Sequence, residues 1–263
     1  MVGVLVLRAA GTNCDKETVF AFECAGAKPE TVHINQLLSE PNSLSFKRYQ
    51  VVVIPGGFTY GDDISAGKVL SLQLRTSLMD ALNRFIEDGG VVFGICNGFQ
   101  VLVKTGLLPR LNGTPVQSVT LMWNDSGRYE DRWVHLRCET DRCVAAEKGD
   151  TFFLPVAHAE GKFVAKDATV LSRLEKENYV FLRYIRPDGS HAQNFPDNPN
   201  GSQNAIAGIC DRTGRVFGLM PHAERHIFAY QNPLYHRQRS RSPVVEPSGD
   251  GMKIFRRIVN YFK

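Results

Sequence analysis

A chain of 263 residues with 43% hydrophobic content can bury a sizeable core and sits at the upper end of what one domain holds, which predicts one domain, 1–263, with insertions. The formal charge of +4 is modest and interspersed with acids except in His236-Arg237-Gln238-Arg239-Ser240-Arg241. That run reads as a solvated loop, and no nucleic-acid-binding face is implied. Six cysteines without a C-x-x-C pair make neither a disulfide framework nor a zinc site, and apolar Val2–Leu7 is too short to span a bilayer and lacks the marks of a signal peptide. A reducing, cytoplasmic setting is expected.

Val2–Leu7 reads as a first strand. The polar turn Arg8–Asp15 leads into a helix over Lys16–Ala25, for which Thr12, Asn13 or Asp15 can serve as cap, and Gly26 closes it. Thr31–Ile34 is a second strand, followed by a loop with Pro41 and Asn42. Val51–Ile54 is a continuous β-branched run of the kind buried on both faces of a parallel sheet. It ends in Pro55-Gly56-Gly57-Phe58-Thr59-Tyr60-Gly61-Asp62-Asp63, placed where open α/β sheets bind ligands. That loop lacks both G-x-G-x-x-G and the G-K-[ST] ending of a P-loop, and no nucleotide site is legible. An amphipathic helix spans about Val69–Asp88 and stops at Gly89-Gly90.

Next comes Val91-Val92-Phe93-Gly94-Ile95-Cys96-Asn97-Gly98-Phe99-Gln100-Val101-Leu102, which reads as strand, sharp turn, helix. Glycines two before and two after Cys96 permit the tight elbow that lifts a nucleophile above an α/β sheet. At the first turn of a helix, unpaired N–H groups and the dipole favour a thiolate. Cys96 is the candidate nucleophile; the plain alternative is a small buried hydrophobe. The alternation of strands and helices to this point predicts an α/β fold, a flavodoxin-like doubly wound and mostly parallel sheet.

The pattern then changes to an antiparallel ribbon insertion: Val116–Met122, a turn at Asn124-Asp125-Ser126-Gly127, and alternating Arg132–Arg137. Within it Trp133 is expected to pack and His135 to face water or a neighbouring strand. Phe152–Gly161 and Val180–Tyr184 are further strands, Pro187–Gln203 is turn chemistry, and Ile206–Cys210 pairs with Val216–Met220 across Asp211-Arg212-Thr213-Gly214.

That last strand runs into Pro221-His222-Ala223-Glu224-Arg225-His226. A thiolate needs a proton carrier, and a histidine with a nearby orienting carboxylate provides one. Cys96, His222 and Glu224 then form a triad; the alternative is that His222 and Glu224 cap a final helix. His222 and His226 stand four apart, but the intervening glutamate is misplaced for a zincin, so no metal site is expected. His158-Ala159-Glu160 repeats the spacing, and on residue types the two histidines are equivalent.

With Pro55-Gly56-Gly57 upstream and Pro221-His222-Ala223-Glu224 downstream, the stretch Gly94–Gln100 resembles the class I glutamine amidotransferases with their Cys-His-Glu triad. Gly11-Thr12-Asn13-Cys14-Asp15, Gly57–Asp62, Ala157–Gly161, Asn198–Ser202 with Ile206–Ile209, and Gly218–His222 are similar, within that family, to the glutaminase subunits of phosphoribosylformylglycinamidine synthase. The match runs nearly end to end. It departs at Ala223, where the family usually has proline, and at Ala9-Ala10, where Phe-Pro is usual. Residues 124–150 and the tail beyond Ile227 are longer than in the family's small members.

The resemblance implies that Cys96 attacks the glutamine carboxamide and that Gly57 and Asn97 N–H groups hold the oxyanion. It further implies that His222 protonates ammonia and activates water against a glutamyl thioester, that Glu224 fixes the imidazole and that Gln100 helps seat substrate. His158 and Glu160 are expected to be a structural or partner-facing pair. No cofactor is implied in this chain; ATP and magnesium are implied in a large synthetase partner that takes the ammonia to make formylglycinamidine ribonucleotide in purine biosynthesis, with a small third subunit completing the complex. The isolated chain would then be a weak glutaminase. Service to another acceptor, a cysteine hydrolase of a different amide and a non-catalytic scaffold are the alternatives.

Overall fold

The computed structural model describes residues 1–241 and 247–263. In chain order the elements are β1 (Gly3–Arg8), α1 (Asp15–Cys24), β2 (Lys28–His33), α2 (Ile34–Ser39), β3 (Val51–Ile54), α3 (Lys68–Gln73), α4 (Met79–Glu87), β4 (Val91–Ile95) and α5 (Asn97–Thr105). Then follow β5 (Val119–Met122), β6 (Glu130–Cys138), β7 (Thr151–His158), β8 (Lys162–Ala165), α6 (Ala168–Lys176), β9 (Val180–Ile185), β10 (Ile206–Cys210), β11 (Val216–Leu219), α7 (Tyr235–Arg241) and α8 (Asp250–Asn260). A nine-stranded sheet has the order β2-β1-β3-β4-β11-β10-β9-β6-β7, and β5 pairs with β8 in a separate ribbon. Strands β2, β1, β3, β4 and β11 are parallel; from β10 onward every pairing is antiparallel.

The pleat explains how helices cover both faces. In the β4–β11 pair, Phe93 opposes Phe217 and Gly94 opposes Gly218. Successive residues point to opposite sides, so the phenylalanines go one way and the glycines the other. On the first face the two rings stack at 4.7 Å and Phe93 meets Phe255 of α8, which also packs edge-on against Phe22 of α1 at 4.9 Å. On the second face the bare glycines let α5 lie directly on the strands: a Cβ at Gly94 would run into the Gly98 backbone, and one at Gly218 into the Phe99 ring. Burying Phe93, Phe99, Phe217 and Phe255 completely contributes roughly 1.5–3 kcal/mol each.

Several sequence expectations are corrected. The helix expected over about Val69–Asp88 is α3 running into α4 through a π-helical stretch at Leu74–Leu78. Neither Thr12, Asn13 nor Asp15 caps α1: the N-cap is Cys14, without a side-chain cap bond, because the Thr12 hydroxyl accepts from the Ala9 N–H. The expected ribbon of Val116–Met122 with Arg132–Arg137 does not form. The Asn124–Gly127 turn exists, but Asn124 is bonded to the His158 and Ala159 carbonyls and to the Gly161 N–H. Those bonds draw β5 to β8, while β6 enters the main sheet between β9 and β7. Trp133 packs between Phe153 and His226, and His135 lies against Phe153 on the neighbouring strand. The basic run is helical in α7, with His236, Arg237 and Arg239 exposed. Among the described residues no helix is long and apolar enough to cross a membrane, and all six cysteines are free.

Candidate active site

Three adjacent parallel strands, β3, β4 and β11, end together, and the segments leaving them carry Gly57, Cys96 and His222. Adjacency in the sheet is what unites residues far apart in sequence. Cys96 is the N-cap of α5 with φ 50° and ψ −105°, a conformation that costs a non-glycine residue on the order of 1–3 kcal/mol. It persists because the turn is fixed on both sides: the Cys96 N–H donates to the Leu219 carbonyl at 2.8 Å, and the Gln100 N–H donates to the Cys96 carbonyl at 3.1 Å. Gly98 is required where it stands, since a Cβ there would collide with the Ile54 carbonyl.

Cys96 is 5% exposed, and that remnant opens into a cavity of about 260 Å³ lined by Gly57, Asp62, Gln100, His158 and Glu160, among others. Gly57, at φ 142°, is pressed against the Gly11–Asn13 backbone. Asn97 is the first residue of α5, where a helix leaves its N–H groups unpaired. Among the described residues neither the Gly57 nor the Asn97 N–H donates to another protein group, which is what two prospective oxyanion donors require. Gln100 reaches the cavity with both amide ends occupied: Oε1 accepts from Asn97 Nδ2 at 3.0 Å and Nε2 donates to the Glu160 carbonyl at 2.6 Å.

After β11 the chain makes a 3₁₀ turn, Ala223–Arg225, that folds Glu224 back on His222. His222 Nδ1 and Glu224 Oε1 are 2.6 Å apart, both side chains almost wholly buried. Burial works against a charged imidazole, but Glu224, then the Cys96 sulfur, hold His222 well above the ordinary histidine range. Its Nε2 is buried without a protein partner. The expected equivalence with His158 therefore breaks. His158 is pushed down to about 3, first by burial and then by the charge of His222, and its Nε2 lies 3.1 Å from Asn200 Nδ2. The Asn200 Oδ1 accepts from the Ser202 N–H and hydroxyl, so its Nδ2 donates and His158 is a neutral imidazole with its proton on Nδ1. His222 and Glu224 do not cap a long final helix.

The tail beyond Ile227 buttresses this turn. Gly251 of α8 donates to the His226 carbonyl at 2.8 Å, and a Cβ on it would strike the Ala223 carbonyl. Ala223 occupies the first position of the 3₁₀ turn, where proline is also accommodated.

Sequence reasoning missed Cys14 as a neighbour of the site and the meeting of Asp62 with Glu160. Cys14 lies beside the His222 ring, accepts from Arg225 Nη2 at 3.2 Å, and is held up as a thiol by burial. Cys14, His222 and Glu224 offer donor atoms within 4.8 Å of one another, the one grouping among the described residues that could hold a metal ion, although the His222–Glu224 edge is already closed by its own hydrogen bond. Asp62 and Glu160 form the second group. Their partnership lies across the fold, and no local spacing signals it.

Comparisons with known proteins agree on a family. Residues 1–262 match the family described as the CobB/CobQ-like glutamine amidotransferase domain. The phosphoribosylformylglycinamidine synthase subunit PurQ of Dehalococcoides mccartyi is 44% identical, over 99% of this chain and 97% of its own. Its namesake from Archaeoglobus fulgidus is 42% identical, over 100% and 97%. Among solved structures, that of PurLQS from Thermotoga maritima superposes with a TM-score of 0.71 at 30% identity, covering 100% of this chain and 99% of the matched one.

Proposed function

We propose, for a chain that belongs to the CobB/CobQ-like glutamine amidotransferases and within them to the PurQ subunits of phosphoribosylformylglycinamidine synthase, that Cys96, His222 and Glu224 hydrolyse the glutamine side-chain amide and deliver ammonia to a synthetase partner. The observation that carries this reading is the buried His222–Glu224 pair beside the sulfur of a strained strand-to-helix elbow. Cys96 attacks the carboxamide carbon, and the oxyanion settles on the Gly57 and Asn97 N–H groups. Each such donor is worth on the order of a hundredfold to a thousandfold in rate. His222 protonates the departing ammonia, then takes a proton from the water that cleaves the glutamyl thioester. Glu224 keeps the proton on Nδ1, which leaves Nε2 for the chemistry.

Ammonia released into water would be protonated and lost, so the chemistry favours a partner. The name PurLQS, borne by the Thermotoga maritima assembly, joins PurQ to two further components. By analogy this chain pairs with a large synthetase subunit, which supplies the ATP-dependent step on formylglycinamide ribonucleotide, and with a small third subunit. Exposed Phe58, Trp123 and Tyr129 stand near the cavity mouth, where a partner could cover them.

In the reconstituted complex, Cys96→Ala is expected to abolish glutamine-dependent synthesis while ammonia-dependent synthesis continues. Retained glutamine use would sink the glutaminase reading. For a hydrolase of another amide, a diazo-ketone analogue of glutamine would fail to label Cys96, or glutamine would fail to protect it.

A further inference from the structure

The Cys96 cavity contains more negative charge than its own residues balance. Asp62 comes from the loop after β3 and Glu160 from the turn after β7, and both line it. The Glu160 carboxylate accepts from the Ala66 N–H at 3.2–3.3 Å, and Asp62 accepts from Asn97 Nδ2 at 3.2 Å. The nearby cation is Lys104, whose ammonium donates to the Ala66 carbonyl and stands 3.9 Å from Glu160. Two carboxylates thus share one lysine in a partly buried setting, where an uncompensated charge is costly. The strain is visible on Asp62, which burial and then the Glu160 charge push up to about 6, against the help of the Gly67 N–H, Lys104 and Asn97. Lys68 is the remaining charged group acting on this cluster, through Lys104. An independent feature of the same wall also points to a polar ligand. His158, 3% exposed, lines the cavity with Nδ1 unpartnered.

We infer that Asp62 and Glu160 are specificity-determining residues that receive the α-ammonium of L-glutamine, so that the site selects an α-amino acid amide over the same amide without its amino group. The inference rests on the proposed glutaminase reading and names how that site recognises its substrate. The geometry suits the molecule. Asn97 immediately follows the nucleophile and bonds directly to Asp62, while Gln100, one turn further along α5, holds the Glu160 backbone. The carboxylates therefore line the same cavity as the reacting sulfur. An incoming ammonium supplies the missing positive charge, and a charge-assisted hydrogen bond of this kind is worth about tenfold to a hundredfold in binding.

The test compares L-glutamine with glutaramate, which lacks only the α-amino group, as ammonia donors for the assembled complex. The wild type is expected to favour glutamine by at least tenfold in kcat/KM. Asp62→Asn and Glu160→Gln should each raise KM for glutamine about tenfold to a hundredfold with a smaller change in kcat, and should cost glutaramate use much less than glutamine use, so that the preference collapses. With wild type, the ratio of kcat/KM for glutamine to that for glutaramate, in which protonation of the shared Cys96 and His222 cancels, should fall as pH drops through about 6, where Asp62 takes up a proton. A wild-type enzyme indifferent to the amino group, a pH profile shared by both substrates, or equal losses on both in the variants would overturn the assignment. Glutamine use surviving in Cys96→Ala would instead mark a failure of the glutaminase reading.

Discussion

His222-Ala223-Glu224 and His158-Ala159-Glu160 are the same three residues in the same order, each at the carboxyl end of a strand, and they do opposite things. After β11 a 3₁₀ turn brings Glu224 onto His222 Nδ1, and the imidazole is driven toward its charged form. After β7 the glutamate turns away to the Ala66 N–H, the histidine is tied to Asn200, and the ring stays neutral. The difference shows that the backbone after the histidine, rather than the spacing, decides which imidazole suits the proposed role of proton carrier. It also separates two settings of glutamate: Glu224 bonds to an imidazole, whereas Glu160 shares one lysine with Asp62.

The strongest way to break this contrast is to exchange the histidines' fates. His222→Asn is expected to lower kcat for glutamine by roughly 10² to 10⁴, the usual worth of a general acid–base group, whereas His158→Asn should act chiefly on KM and stability. Steady-state kinetics of the two variants in the assembled complex decide it, and a larger kcat loss at His158 would reverse the assignment.

A weaker but sharper probe is the pH dependence of unfolding. Native His158 refuses a proton that the unfolded chain accepts near the ordinary histidine pKa of about 6.5. Its contribution to stability is therefore present above about pH 6.5 and is lost as pH falls toward 3, with a slope of up to about 1.4 kcal/mol per pH unit. His222 contributes with the opposite sign: its stabilisation is present below about pH 6.5 and is lost as pH rises through its elevated native value. Denaturant unfolding across this range should show the acid-side slope reduced in His158→Gln. An unchanged slope would mean that His158 is not held neutral.

What is legible in the chain follows from how local each feature is. Val51–Ile54 and Val91–Ile95 announce buried parallel strands because each is apolar on both faces, and Gly94, Cys96 and Gly98 announce the elbow because only small residues survive its contacts. The β10–β11 hairpin is equally plain from its turn. The partners of β5 and β6 are not legible, because a good turn at Asn124–Gly127 says nothing about which strand each arm will find; that is decided by Asn124 gripping the distant His158–Gly161 backbone. Helix α6 is silent in the sequence, as its one fully buried residue, Leu174, leaves little apolar periodicity. That Cys96 needs a histidine and a carboxylate can be read from residue types, but the choice between two identical His-Ala-Glu segments cannot, nor can the meeting of Asp62 with Glu160, since both depend on tertiary placement.

The most direct test is to quench the complex during glutamine turnover and map the adduct by peptide mass spectrometry. The account predicts a glutamyl group on Cys96, accumulating further when His222 is replaced in a form that still acylates. A glutamyl group on Cys14, which stands beside the same imidazole, or Cys96 remaining unmodified throughout turnover, would contradict it.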